Sequence, residues 1–478
     1  MKPIKFGTDG WRGVIADDFT FQRVAVVCEA IGEYLREDGR AEQGMAIGYD
    51  NRFASEAFAA LAATMLTRKG IRVYLSPTNV PTPVVSYAIS HRQLGGGIMV
   101  TASHNPAKYN GIKFKPWFGG SASPEATRAI EERANALLST FDADAVRELG
   151  PDAALLSQED LVPDFLQQVE GFVDHDVIRA AKPRILIDPL YGSSIGVLDR
   201  ALREVGCAVQ MIHGERNPGF GGLNPEPTAE QLRQLQVAVK ETTIDGAVAS
   251  DGDGDRLAAM TEDGEYLSPH QVFALLLIHL VEDRGMRGGV VKTVSTTTMI
   301  NKLAEQYGLP LYETPIGFKY IGQLMMENDI LIGGEESGGI GIKGHIPERD
   351  ATLAALLLIE MMAMHRTTMR GLLAKLRERV GVYYYDRIDL LLQRPVTPEQ
   401  YAAIRREIPA ELLSIPVSSV SDRDGLKIWL DDGSWLLLRA SGTEPVIRIY
   451  AESNNPDAVS ALLQRGCALV AAGGVQRA

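Results

Sequence analysis

The sequence predicts an α/β protein: three similar α/β domains with mixed sheets, then a C-terminal α+β domain, set around a central cleft. Three observations predict it. A strand–helix–strand pattern occurs three times along the chain. Each copy is followed by an apolar strand that runs into a polar or Gly-rich loop. The stretch after residue 378 breaks the pattern and reads as short strands with hairpin signals. A length of 478 residues at about 150 per domain predicts about three domains, and the distinct last stretch makes four.

The first copy has a strand at Met45–Gly48, a helix over Ala54–Arg68, Gly70, and a strand at Ile71–Leu75. The second has Arg184–Ile187, a helix over Gly196–Glu204, Gly206, and Ala208–Ile212. The third has Val290–Val294, a helix over Met299–Gln306, Gly308, and Leu309–Tyr312. In each, Gly falls just past the helix, where a left-handed cap favours it. Strand, helix and strand with short connections form a parallel unit. The loops that follow are Gly97–Pro106, Gly246–Arg256 and Ile330–Gly339. In open α/β sheets the ligand end is where strands run into such loops, so three of them point to three related domains facing one cleft. In the last stretch, Leu426–Leu430, Trp435–Arg439 and Val446–Ala451 read as strands, with Asp432-Gly433 as a hairpin turn. Helices are expected around Pro398–Arg406 and Pro456–Val470. The domains divide at 1–150, 151–262, 263–377 and 378–478.

Composition bounds the function. Hydrophobic residues make up 45% and charged residues 23%, values of an ordinary globular chain. Acidic residues number 61 against 48 basic, a net charge of −13. That field argues against a protein gripping nucleic acid or an anionic membrane. Cys28, Cys207 and Cys467 are few and far apart, so neither a disulfide framework nor a cysteine zinc site is implied, and a reducing compartment is expected. Residues 1–10 carry charges without an apolar core, which predicts no signal peptide. Runs such as Val272–Leu280 are too short to span a bilayer. The expectation is a cytoplasmic enzyme or binding protein for small molecules.

Asp251, Asp253 and Asp255 alternate with Gly at a strand end. Three carboxylates brought to one point favour a divalent cation, and this donor set suits Mg²⁺. An EF-hand and a solvated acidic turn are the competing readings; against the first, Arg256 stands where its sharp turn needs Gly, and no helices flank the loop. Ser103, in Thr101-Ala-Ser-His-Asn-Pro106, follows an apolar strand. A hydrolase pairing with His104 is disfavoured because adjacent residues seldom meet as nucleophile and base, and no Gly-x-Ser-x-Gly turn surrounds Ser103. A phosphoryl group on Ser103 would supply oxygen to the metal; a turn or capping serine is the plainer alternative. Cations recur beside these loops: Arg12, Lys113, Arg256, Lys319, and Arg439 and Arg448 around Ser441-Gly442-Thr443. Together they outline a phosphate path, the last group having the composition of an anion nest. Glu335 and Ser337 suit sugar hydroxyls, and His345 is a further candidate beside them.

Thr101–Pro106, Asp251–Arg256, Gly334–Gly338 and Arg439–Pro445 occur in the order and spacing of the α-D-phosphohexomutases. The chain resembles this phosphoglucomutase/phosphomannomutase superfamily over essentially its whole length. The resemblance implies four domains round a deep cleft and a phosphoserine at Ser103. It implies Mg²⁺ on Asp251, Asp253 and Asp255, with glucose 1,6-bisphosphate or the matching hexose bisphosphate as activator. Arg12, His104 and Arg256 would support the serine loop. Lys113 would be a general acid/base, with Lys319 as its partner. Glu335 and Ser337 would read the sugar, and Arg439, Ser441, Gly442 and Thr443 the phosphate not being transferred, with Arg448 beside them. The implied reaction interconverts hexose 1- and 6-phosphates. The Glu-Glu-Ser sugar loop, Lys319 and the His345–Asp350 segment resemble phosphoglucomutases. The opening Gly-Thr-Asp-Gly is shared with phosphoglucosamine mutases, and Gly338-Gly339 departs from the Gly-His of bispecific enzymes. Phosphomannomutase and phosphoglucosamine mutase are the alternatives, with a sugar phosphatase or a non-catalytic sensor further off. The expected partner is a small phosphosugar, with no nucleic acid and no membrane, on a monomer or dimer.

Overall fold

The strand Met45–Tyr49 carries no charged residue and is buried on both faces, as a parallel strand between helical layers must be. It pairs in parallel with Val73–Leu75 on one side and Gly96–Val100 on the other, and the helix Ser55–Arg68 makes the crossover. The expected repeat recurs where Arg184–Asp188 pairs in parallel with Ala208–Met211 and Gly246–Ser250, and where Gly289–Thr293 pairs in parallel with Leu311–Thr314. The helix Thr298–Tyr307 between the last two is capped by the Thr297 hydroxyl and closed by Gly308 in the left-handed conformation at φ 63°. This computed structural model describes residues 2–7, 9–441 and 445–477.

Antiparallel strands make the sheets mixed. The first sheet runs Trp11–Val14, Tyr109–Pro116, Gly96–Val100, Met45–Tyr49, Val73–Leu75, Leu156–Gln158, and Tyr109–Pro116 is antiparallel to both its neighbours. The second runs Tyr266–Leu267, Leu257–Met260, Gly246–Ser250, Arg184–Asp188, Ala208–Met211, with Leu257–Met260 antiparallel to its neighbours. In the third repeat Ile330–Gly334 is antiparallel to Ile340–Ile342. These returns are absent from the pattern read above. Tyr109–Pro116 places Lys113 and Lys115 inside a buried strand, which no local periodicity announces.

Two compact units result, residues 1–288 with 317–373, and 289–316 with 374–478. In the first, the helix Ala351–Met364 is buried almost throughout. Each of its large apolar side chains contributes about 1.5–3 kcal/mol by leaving water. Asp350 caps it by accepting from the Thr352 and Leu353 amides.

The second unit holds an antiparallel sheet ordered Tyr384–Leu391, Val446–Ser453, Trp435–Ala440, Leu426–Leu430, Ile415–Ser421, Glu411–Leu412. Leu436, Leu438, Ile447 and Ile449 pack with Ile404, Leu462 and Leu463 of the helices Pro398–Arg406 and Pro456–Ala472. Trp435, Leu437 and Tyr450, from alternate positions on the same strands, pack with Val294 and Ile316 instead. Lys427 Nζ donates to the Val294 carbonyl at 2.5 Å. It also pairs with Glu313 at 3.2 Å and lies 4.3 and 4.5 Å from the Trp429 and Trp435 rings. Among the described residues no helix is long and apolar enough to cross a membrane, and Cys28, Cys207 and Cys467 are free thiols.

Candidate active site

The strand Gly96–Val100 delivers the serine loop. Ser103 is buried and left-handed, at φ 53°, a conformation that costs a non-glycine residue about 1–2 kcal/mol. The Thr101 hydroxyl accepts from the Ser103 amide at 2.8 Å. Ser103 Oγ lies 3.2 Å from Asp251 Oδ2 and 3.4 Å from His104 Nδ1. Ser103 and His104 thus do approach each other, contrary to the expectation for adjacent residues, and the left-handed turn at Ser103 accounts for it. Burial, with Arg256 and Arg12 nearby, holds His104 well below the usual histidine range, so its ring is neutral near pH 7. Arg12 reaches the same loop from the neighbouring strands, where it pairs opposite Gly111, and its Nη1 donates to Asn105 Oδ1 at 2.5 Å. Gly111 is required there: a Cβ would meet the Thr101 and Trp11 carbonyl oxygens at 2.5 and 2.6 Å.

The metal loop lies between Gly246–Ser250 and Leu257–Met260, two strands and not two helices, so the EF-hand reading fails. Asp251, Asp253 and Asp255 are fully buried, and one oxygen of each lies within 4.8 Å of the others. Asp253 Oδ1 and Asp255 Oδ1 have no hydrogen-bond partner. Burial, then Asp255 and Asp253, push the Asp251 carboxyl well above the carboxylate range. A dry carboxylate cluster with orphaned oxygens next to a hydroxyl is an all-oxygen donor set that fits Mg²⁺. Gly252 lets the loop close on Ser103, whose carbonyl oxygen a Cβ at Gly252 would meet at 2.6 Å. Thr82, first residue of the helix Thr82–His91, donates its hydroxyl to Asp253 Oδ2 at 2.6 Å. Arg256 Nη1 pairs with Glu226 at 3.1 Å. Its Nε lies 3.8 Å from Asp251 and has no hydrogen-bond partner, so a donor is left over for an anion.

Lys113 projects from the middle of Tyr109–Pro116 into these carboxylates. Its Nζ lies 2.8 Å from Asp253, 3.3 Å from Asp255 and 2.9 Å from Asp9. Burial lowers its pKa, but Asp253, Asp9 and Asp255 outweigh burial and push it up, so Lys113 stands as an ammonium. Arg349 continues the network, 2.9 Å from Asp9, 2.7 Å from Asp255 and 3.4 Å from Glu335. Asp9 and Arg349 were not singled out from the sequence. The available signal is their place inside the opening Gly-Thr-Asp-Gly, residues 7–10, and the His345–Asp350 segment.

The sugar loop meets the metal loop directly: the Leu257 amide donates to the Gly338 carbonyl at 3.1 Å, and Arg256 bridges to Gly339. Glu335 is buried, and burial raises its carboxyl to about 7 against the opposing pull of Arg349. Ser337 is half-buried on the turn that the Gly338 amide closes on the Glu335 carbonyl. Lys319 is the second residue of the helix Phe318–Glu327. Burial lowers its pKa, opposed by Asp9 and Glu125. His345 is not brought into this cluster. Its ring lies against Tyr87, Phe165 and Phe172, and its Nε2 bonds Asp350 at 2.9 Å, so its contacts support a helix cap. In the second unit Arg439 lies opposite Arg448 on paired strands. Arg439 Nε donates to Asp424 at 2.9 Å, Arg448 pairs with Asp389 at 3.5 Å, and the Ser441 amide donates to Val446 at 2.8 Å. Gly442 and Thr443 lie outside the described residues.

Four family models match in chain order. They describe the phosphoglucomutase/phosphomannomutase α/β/α domain I at residues 3–140, domain II at 163–264, domain III at 268–380, and the C-terminal domain at 391–467. A protein named phosphoglucomutase/phosphomannomutase from Thermococcus kodakarensis is 30% identical over 97% of this chain and 98% of its own. A phosphoglucosamine mutase from Thermobifida fusca is 29% identical over 96% of each chain. The crystal structure of a protein designated a phosphomannomutase from Thermus thermophilus is 33% identical, superposes with a TM-score of 0.84, and is covered over 99% of its length by 98% of this chain.

Proposed function

Because the chain belongs to the phosphoglucomutase/phosphomannomutase family, we propose that it moves a phosphoryl group between the 1- and 6-positions of a hexose phosphate, with glucose as the preferred sugar and Ser103 as the carrier. The observation that carries this reading is the Ser103 hydroxyl. It lies at a strand end, 3.2 Å from Asp251 of a buried carboxylate triad and 3.4 Å from a neutral histidine. The Glu335-Glu336-Ser337 loop and the His345–Asp350 segment favour glucose by their resemblance to phosphoglucomutases.

In the forward half-reaction the bond from Ser103 Oγ to phosphorus breaks and a bond from phosphorus to the free sugar hydroxyl forms. The hydroxyl proton passes to a base. The bisphosphorylated sugar turns over, and Ser103 takes back the other phosphoryl group. Asp251, Asp253, Asp255 and Ser103 would hold Mg²⁺, which supplies charge neutralisation for the transferring group. The spare N–H of Arg256 and the Arg12 guanidinium add fixed positive charge there. Lys113, an ammonium whose pKa its three carboxylate neighbours raise, is a poor proton donor as it stands, and with Lys319 it forms the acid/base pair that the resemblance implies. Lys319, with its pKa lowered by burial, is the better base. Glu335 and Ser337 read the sugar hydroxyls. Arg439 and Ser441, with Gly442, Thr443 and Arg448, bind the second phosphate.

The test sets kcat/KM for glucose, mannose, glucosamine and N-acetylglucosamine 1-phosphates side by side, with a trace of the matching bisphosphate. Glucose 6-phosphate should form fastest. Inorganic phosphate in its place would sink the mutase reading, and a preference for glucosamine would reassign the sugar. Ser103→Ala should lower kcat by about 10³-fold or more. Its unfolding free energy should change by less than about 1 kcal/mol, since a loop-end hydroxyl contributes little packing.

A further inference from the structure

Among fully buried side chains Arg52 is the largest charged one, and none of the chemistry above uses it. Its guanidinium carries five N–H groups in a rigid fork, and all five are spent. Nε donates to Asp50 Oδ2 at 3.1 Å. Nη1 donates to the carbonyls of Pro106 and Tyr109, each at 3.0 Å. Nη2 donates to the carbonyls of Ser103 and Asn105, each at 2.6 Å. The Phe220 ring lies 4.9 Å from the guanidinium carbon.

Four carbonyls of one short loop thus converge on a single cation. Pointed at one another without it, they would repel in a dry site, although the Pro106 carbonyl also accepts from the Tyr109 amide at 3.0 Å. The other side of the Ser103 residue is tied to the same pair. Asp50 accepts from the Thr101 hydroxyl at 2.5 Å and from Ser55 at 2.8 Å, and the Thr101 hydroxyl accepts from the Ser103 amide. Amide and carbonyl of the strained, left-handed Ser103 are therefore both held from Asp50-Asn51-Arg52, the segment that follows the strand Met45–Tyr49.

We propose that Arg52 is a positioning residue that sets the aim of the Ser103 hydroxyl by clamping the carbonyls of Ser103, Asn105, Pro106 and Tyr109, without touching the substrate. Its effect on turnover rests on the reading of Ser103 as phosphoryl carrier; the clamp itself does not. A lysine keeps the charge but has three donors on one atom and cannot fork.

R52K is compared with the wild type by two readouts, steady-state kinetics on glucose 1-phosphate and amide hydrogen exchange. Expected are a fall in kcat of about 10²-fold with KM within about threefold, and faster exchange confined to peptides covering residues 101–110. Wild-type kcat in R52K overturns the proposal, as does a change in KM alone or unchanged exchange in the serine loop. If the wild type turns over none of the four sugars, the functional reading fails, and the exchange readout still decides whether Arg52 holds the loop. If R52K does not fold, Asp50→Asn takes its place, leaving the guanidinium but removing the charge that orients it. The same pattern, several-fold smaller, is then expected, and unchanged kcat and exchange overturn the proposal.

Discussion

Glu335 stores a pH dependence. Burial lifts its carboxyl to about 7 from a reference value of 4.5. Between those values the unfolded chain releases the proton while the folded protein keeps it. The contribution of Glu335 to stability therefore falls as pH rises from about 4.5 to about 7 and is level outside that window. In Glu335→Gln the loss of unfolding free energy between pH 5 and pH 8 should be smaller than in the wild type, as urea unfolding at the two pH values would show. The same titration bears on the sugar. Below about 7 the protonated carboxyl loses acceptor capacity, so KM for glucose 1-phosphate should rise more steeply on acidification in the wild type than in Glu335→Gln, the titration of the substrate phosphate at about 6 being common to both. Single residues of this kind were partly legible. Asp251, Asp253, Asp255 and Ser103 stand out because alternation with Gly and a position after an apolar strand are local signals. Asp9 and Arg349 do not stand out, because each owes its role to a partner far along the chain. Lys113 is the instructive intermediate case: its place a few residues past the serine loop is visible, but its three carboxylate neighbours are not.

At the scale of elements, the helix Thr82–His91 does more than connect two strands. Its first residue ties it to the metal loop twice, through the Thr82 hydroxyl on Asp253 Oδ2 and the Thr82 amide on the Asp253 carbonyl at 2.9 Å. Outer-shell bonds of this type typically govern about 10–100-fold in metal affinity. Thr82→Val should weaken Mg²⁺ or Mn²⁺ binding by that factor in isothermal titration while leaving the circular dichroism spectrum unchanged. Undiminished affinity would show that Asp253 needs no such support. Elements with their own punctuation were read closely: the helix Pro398–Arg406 has a Thr397 cap and Pro at its start, and Leu426–Leu430 is bounded by Gly425 and an Asp-Gly turn. Tyr109–Pro116 has no such bounds and carries two lysines. Its strand character is fixed by pairing on both edges, which is tertiary information.

At the scale of the whole molecule, the division into residues 1–288 with 317–373, and 289–316 with 374–478, is not legible from periodicity, which sees only near neighbours. Val294 and Ile316 meet Trp435, Leu437 and Tyr450 from more than a hundred positions away. Excised residues 374–478 would keep the core built on Leu436, Ile449 and Leu462 but lose Val294, Ile316, and the Glu313 partner of Lys427. We expect that fragment to bind hydrophobic dyes and to show red-shifted emission from Trp429 and Trp435; emission like that of a full chain in which Trp11 and Trp117 are replaced by Phe would contradict this. The same discontinuity has a consequence for biosynthesis. At about 5–20 residues per second, a ribosome takes roughly 6–26 seconds to pass from Ile316 to the strand Val446–Ser453. Throughout that interval the apolar side chains of Val294 and Ile316 have been made and the surface that covers them has not. During that interval this segment is open to chaperone capture or misassociation.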